Sequence, residues 1–229
     1  MFAVVLEGLG YDVTRRLGRV GDPSVAGRTH AVTVVALAGE RLLADAGFGM
    51  SPLQPIPLAD GAEDEHGGWR HRVRRVETGE AGPVWELHRR RDSGWELMHT
   101  TDELPVHPAD VVMGHHFTST FPGSHFRSGL MITRFGDDRQ TTVTHEHVTV
   151  RRPGKPTEQR PLRDGELVDQ LHALAVPLTD DEEQRLLVVA GRLRRLAEPG
   201  SSAAALCGGS GLPGELDPAH SRRNTRPAG

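Results

Sequence analysis

From Tyr11 to about residue 105 the chain is a succession of short β-branched runs separated by turn residues, with no helical pattern between them. The runs cover residues 11–20, 29–37, 41–46, 69–77 and 84–90, and, after Asp92-Ser93-Gly94, residues 95–98. Strands of this length, so closely spaced, argue for an antiparallel sheet or a small barrel.

The flanking segments differ in texture. At the start, Phe2, Val5, Leu6 and Leu9 fall at helical spacing, and Gly8 and Gly10 suit a helix end. A helix of two turns is too short to stand without neighbours. Residues 60–68 are polar and glycine-rich, the composition of a long surface loop. Residues 130–135 and 141–150 read as a second strand pair around Gly136-Asp137-Asp138. The clearest helix begins at Thr179, where Glu182 completes a capping box. Leu186, Leu187, Val189, Ala190, Leu193 and Leu196 form its wide apolar face, and Arg192, Arg194 and Arg195 lie at its dipole-favoured end. Residues 199–229 hold Ser, Ala, Gly, Pro and Arg with little to bury, and are expected to be disordered. No internal repeat is present. The fold class expected is α+β.

Composition removes several functions. Lys and Arg total 27 against 31 Asp and Glu, a net charge of −4, which lacks the basic footprint that nucleic-acid binding needs. No apolar run approaches the ~18 residues of a membrane span, and Glu7 interrupts the N-terminal apolar stretch too early for a signal peptide. A single cysteine, Cys207, cannot form an intrachain disulfide. A cytoplasmic protein without nucleic-acid or membrane partners is expected.

Cys207 lies in the Gly/Ser tail, away from a helix terminus or histidine that would stabilise its thiolate, and reads as a free thiol. Thirteen histidines raise the question of a metal. On strands, His115 and His116 would point to opposite faces, whereas His145 and His147 would share one. Neither pair has a third ligand at a recognisable spacing, so no metal site is expected.

The segment holding His30 and Asp45 is sharper. The runs on either side of Ala38-Gly39 make a hairpin, and a two-residue loop would set Val32 opposite Asp45 and His30 opposite Gly47. That register puts His30 and Asp45 on one face as diagonal neighbours; an odd-length loop would separate them. A carboxylate against an imidazole fixes its tautomer and stabilises its cation. The same pair also occurs as a satisfied polar contact without chemistry. Gly47-Phe48-Gly49 leaves this strand through two permissive residues, which lets backbone amides approach a phosphate or serves as a simple turn. Gly8-Leu9-Gly10 ends a helix and has no third glycine of a dinucleotide fingerprint.

Taken together, Leu6-x-x-Leu9-Gly10-Tyr11-Asp12-Val13, Arg28-Thr29-His30, Asp45-Ala46-Gly47-Phe48-Gly49, His66-Gly67 and Phe121-Pro122-Gly123-Ser124-His125-Phe126 resemble the arylamine N-acetyltransferases over residues 1 to about 196. The resemblance implies a cysteine-protease-like fold: an antiparallel β-barrel followed by a small α/β lid with a C-terminal helix, here without the family's N-terminal helical domain. Its division would be a helical remnant at 1–10, a barrel at 11–105, an inter-domain segment at 106–126, a lid at 127–198 and a tail at 199–229. It implies acetyl transfer from acetyl-CoA, through a cysteine, to an arylamine or hydrazine. His30 and Asp45 match the catalytic histidine and aspartate, and Gly47, Phe48 and Gly49 match a segment beside the CoA phosphates or the acceptor pocket. The Phe121 to Phe126 segment would position the inter-domain connection.

The family's Arg-Gly-Gly-x-Cys motif has no counterpart among these residues, and Ala46 stands where the family has valine. The resemblance therefore implies a chain that begins just after the nucleophile of its relatives and is inactive or nearly so alone, since acetyl transfer needs the sulfur. The alternative is a non-catalytic remnant that binds CoA, an aromatic ligand or a partner protein. Loss of the helical domain would leave apolar surface uncovered on the N-terminal face, open to a protein partner or to self-association, with poor solubility.

Overall fold

The computed structural model describes residues 1–78 and 82–197, so Cys207 and the segment 199–229 lie outside the described residues. A short helix α1 (Phe2–Gly8) leads into eight strands: β1 (Asp12–Val20), β2 (His30–Leu37), β3 (Glu40–Ala44), β4 (Ile56–Pro57), β5 (Glu63–His66), β6 (Trp69–Thr78), β7 (Gly82–Arg91) and β8 (Gly94–Asp102). They form one antiparallel sheet in the order β4-β3-β2-β1-β8-β7-β6-β5. Its edge strands β4 and β5 return close to each other, so the sheet is a nearly closed barrel.

Its interior is built by alternation. Val32 and Val34 of β2, Leu43 of β3, Ile56 of β4, Val73 of β6, Trp85 and Leu87 of β7 and Met98 of β8 meet Leu58 in one buried cluster. The same strands also bury polar side chains, among them His71, Arg89 and His99. Such groups are tolerated only with partners. His71 Nε2 donates to the Met50 carbonyl (3.1 Å) and Arg89 Nε to Glu96.

The second half begins with α2 (Pro108–Thr120) and α3 (His125–Ser128). It continues through β9 (Met131–Phe135), β10 (Gln140–Thr144), β11 (His147–Arg151) and β12 (Glu158–Pro161), and ends with α4 (Glu166–Ala173) and α5 (Asp180–Ala197). The four strands form an antiparallel sheet in the order β12-β11-β10-β9. Val143 and Val148 of that sheet pack on Leu167, Leu171 and Ala190 of α4 and α5. The expected capping box is present: Thr179 and Glu182 exchange hydrogen bonds at the start of α5.

Two turns bring this sheet against the barrel. Trp69 Nε1 donates to the Gly136 carbonyl (3.1 Å), His66 Nε2 pairs with Asp137 Oδ1 (3.1 Å), and the Trp69 ring meets Phe135 edge-on. Further along, Gln140 Nε2 donates to the Gly49 carbonyl at 3.0 Å. That bond ties the segment following β3 to the second sheet.

Several expectations are corrected. Residues 60–68 are not wholly a loop: residues 63–66 form β5, paired with β6 through the left-handed glycines Gly67 and Gly68. The run 141–150 is broken at His145-Glu146 into β10 and β11, which are antiparallel neighbours, so His145 and His147 do not share one strand face. His115 and His116 are on a helix, not a strand. The sequence pattern hid α2 because its apolar residues are not gathered on a buried face; none is buried. Strands β4 and β12 and helix α4 are further elements the pattern did not single out.

Candidate active site

The β2–β3 hairpin turns through Ala38 (φ 52°) and Gly39 (φ 83°), two left-handed residues as a type I′ turn requires. Two residues in the loop fix the register. The ladder runs from Leu37↔Glu40 to Thr33↔Ala44, one step short of Val32 opposite Asp45, as the two-residue loop demands. Asp45 leaves β3 at its end, and His30 opens β2.

Their side chains meet. His30 Nε2 lies 2.7 Å from Asp45 Oδ2, with the carboxylate buried and the imidazole ring 12% exposed. Against an ionised carboxylate Nε2 carries the proton and donates it, so the second ring nitrogen, Nδ1, holds the lone pair and points away from the acid. Ser51 Oγ donates to the same Oδ2 at 2.8 Å, and the Gly47 amide donates to Oδ1 at 3.2 Å. Burial is the largest single influence on Asp45 and pushes its pKa up. The hydrogen bond from His30 and the close approach and charges of both His30 and His99 together outweigh it and hold the carboxyl far below the usual carboxylate range. Asp45 is an anion throughout the physiological range.

The residue absent from the sequence reading is His99. It lies on β8, is 1% exposed, and brings Nε2 to 3.1 Å from the same Asp45 Oδ2. Burial pushes its pKa down; the nearby Asp45 carboxylate opposes that shift and the charge of His30 adds to it. His99 is therefore neutral at pH 7.

Strand β1 separates the two histidines. Gly18 of β1 pairs with His30 on one side and with Thr101 of β8 on the other. His99, two residues from Thr101, shares its face. A Cβ on Gly18 would lie 2.7 Å from the Thr100 carbonyl and 3.6 Å from His99 Nδ1. Glycine leaves the room across which both rings reach one carboxylate: their centroids are 4.9 Å apart. A glycine inside a β-branched strand, level with a histidine, was the signal available in sequence.

Phe48 closes the cluster. Its ring centroid is 5.2 Å from that of His30 and 5.7 Å, edge-on, from that of His99. Of the other two expected ligand-binding residues, Gly47 has its amide turned to Asp45, and Gly49 (φ 74°) offers its carbonyl to Gln140, while a Cβ added to it would lie 3.5 Å from Thr133. The nitrogen and oxygen donors of His30, Asp45 and His99 all lie within 4.8 Å of one another. None of the histidines 115, 116, 145 or 147 belongs to that group.

An imidazole with its protonated nitrogen bound to a buried carboxylate and its basic nitrogen free is equipped to take a proton from a nucleophile. The sequence and the fold have known counterparts. A family model described as N-acetyltransferase matches residues 1–177. The arylamine N-acetyltransferase of Escherichia coli is 33% identical over 171 residues, which cover 72% of this chain and 58% of that protein. The chain thus spans somewhat over half the length of that curated relative. Among solved structures, the arylamine N-acetyltransferase from Mycobacterium abscessus superposes with a TM-score of 0.76 at 31% identity, covering 86% of this chain and 70% of that one. The Mycobacterium marinum arylamine N-acetyltransferase in complex with CoA superposes with a TM-score of 0.67 at 28% identity, covering 85% and 71%.

Proposed function

This chain belongs to the arylamine N-acetyltransferase family, and on that premise we propose that His30 and Asp45 are the base and its orienting acid for acetyl transfer from acetyl-CoA to an arylamine or hydrazine. The observation that carries the reading is the 2.7 Å contact between His30 Nε2 and a buried Asp45 that stays ionised across the physiological range. It leaves Nδ1 as the basic nitrogen.

In this mechanism Nδ1 takes the proton of a thiol, and the thiolate attacks the acetyl carbonyl of acetyl-CoA. The tetrahedral intermediate collapses with loss of CoA as thiolate, which recovers a proton from the imidazolium. The amine then attacks the thioester, its proton passes to Nδ1, and the imidazolium returns it to the departing sulfur as the amide forms. Asp45 keeps its charge throughout and stabilises the imidazolium in each half-reaction. Phe48, whose ring lies against that of His30, and its neighbours Gly47 and Gly49 are the proposed contacts of the CoA or acceptor moiety.

The thiol sets the activity of these 229 residues. Their one cysteine, Cys207, lies in the Gly/Ser tail outside the described residues. No cysteine is found among the described residues, and without a sulfur beside His30 only direct attack by amine or water would remain, so the chain alone is expected to transfer acetyl groups at or near the background rate. The test compares the purified chain with a version joined at its N-terminus to a segment carrying Arg-Gly-Gly-x-Cys, with acetyl-CoA and an arylamine. Transfer by the extended version, abolished in its Asp45→Asn variant, is the expected result. Transfer that survives D45N would overturn the assignment of the pair.

A second reading, a binding protein without catalysis, draws on the exposed apolar side chains of α1 and α2, among them Val4, Val5, Val112 and Met113. Calorimetric titration of the chain with CoA tests its ligand version, and no heat at millimolar CoA counts against it.

A further inference from the structure

We propose that His30, Asp45 and His99 together form a binding site for a divalent transition-metal ion of the zinc class. Two imidazole nitrogens and one carboxylate oxygen are a borderline-soft donor set that suits Zn²⁺, and such a trio with one open position is a recurrent tetrahedral arrangement. The inference rests on geometry and not on the acetyl-transfer reading.

The donors are already gathered. His30 Nε2 and His99 Nε2 approach the same oxygen, Asp45 Oδ2, at 2.7 and 3.1 Å, and all three lie within 4.8 Å of one another. Zn–N and Zn–O bonds of about 2.0–2.1 Å in a tetrahedron set the donors roughly 3.3 Å apart. A small opening of the trio therefore admits the ion.

A second observation points the same way. His99 Nε2 is buried and aimed at the carboxylate, yet it makes no hydrogen bond. Its other ring nitrogen, Nδ1, lies 3.4 Å from Thr101 Oγ1. If Nδ1 carries the proton and donates to Thr101, Nε2 presents a lone pair to a carboxylate oxygen, a repulsive contact that a cation between them turns into two bonds. A histidine whose far nitrogen is held by a polar neighbour is the usual outer shell of a metal ligand. Ser51 and the Gly47 amide do the same for Asp45, bonding its two oxygens.

The three ligands come from β2, from the end of β3 and from β8, and Gly18 of β1 leaves the space that lets them converge. Little further ordering of the chain is needed on binding. His30 is the most exposed of the three. A bound ion would replace the proton between His30 and Asp45. If that pair is the catalytic base and its acid, the ion would fix the ring with Nδ1 protonated and block proton abstraction until a chelator removed it.

The test uses the unmodified chain and Zn²⁺ or Co²⁺. With ¹³C-labelled histidine, substoichiometric Zn²⁺ should shift the imidazole signals of His30 and His99 together. Co²⁺ should give the visible bands of a tetrahedral site at one equivalent, reversed by EDTA. His99→Phe, which leaves the His30–Asp45 pair, should lose the Co²⁺ bands and weaken Zn²⁺ binding by about 100-fold or more. Should that variant fail to fold, Thr101→Val is the substitute, with a loss of about 10-fold or more. Shifts confined to other histidines, Co²⁺ bands that persist in H99F, or no binding at millimolar Zn²⁺ would each overturn the proposal. None of these readouts depends on acetyl transfer.

Discussion

Asp45 shows how one buried residue can be both costly and stable. Stripped of water, its carboxylate would favour protonation, but His30, Ser51 and the Gly47 amide donate to it, with His99 alongside. Asp45→Asn keeps the shape but removes the charge and gives one of these donors an amide NH₂ in place of an acceptor. A loss of about 1–3 kcal/mol is expected in urea unfolding, and a loss below the error of that measurement would mean that the polar cluster contributes nothing to the fold. Gly18 is a steric counterpart. Its substitution by alanine places a Cβ 2.7 Å from the Thr100 carbonyl, so β1 and β8 must part. About 1–3 kcal/mol should be lost, with the His99 ring signals displaced; an unchanged melting temperature and unchanged His99 signals would contradict the packing described.

At the level of elements, the site depends on two hairpin turns outside it. The β5–β6 turn carries Gly67 at φ 57°, and a Cβ there would fall 2.1 Å from the Asp137 carbonyl oxygen in the β9–β10 turn. Gly67→Ala combines left-handed strain with that clash, so the Trp69–Gly136 and His66–Asp137 bonds between the sheets should break. Trp69 fluorescence and hydrogen exchange at Gly136 and its neighbours report this directly. Exchange confined to residues 63–72 would show that the second sheet does not rely on this turn. The β2–β3 hairpin was legible in sequence because Ala38-Gly39 is a short turn between alternating runs, and its register followed. Helix α2 was not, because its apolar residues lie around the helix without a buried stripe, leaving no period to read.

For the whole molecule, buried histidines govern the response to acid. His99 and His71 are pushed below the ordinary imidazole range mainly by burial. Below about pH 6.5 the unfolded chain therefore binds protons that the folded chain refuses. Stability rises with pH through this range and is lost on acidification. Asp45 acts later: with its pKa depressed, its contribution is full above about pH 3.9 and is lost only below that. Melting temperatures should fall from pH 8 to pH 5, less so in His71→Phe; a flat profile would mean that these rings are hydrated. The exposed Val112 and Met113 of α2 add a solution property. If they make a sticky surface, sedimentation should show concentration-dependent association that Val112→Lys with Met113→Lys relieves, with the far-ultraviolet dichroism unchanged.

Sequence alone indicated six of the eight barrel strands and, for a two-residue turn at Ala38-Gly39, the meeting of His30 with Asp45, because alternation and turn length are local and propagate along a hairpin without help from the rest of the chain. His99 reaches the same carboxylate only because β8 lies beside β1, a pairing across some eighty residues that no local pattern encodes, and because Gly18 has no side chain in between. That third member of the cluster, and with it the donor set proposed for a metal ion, was decided by the long-range pairing of β1 with β8.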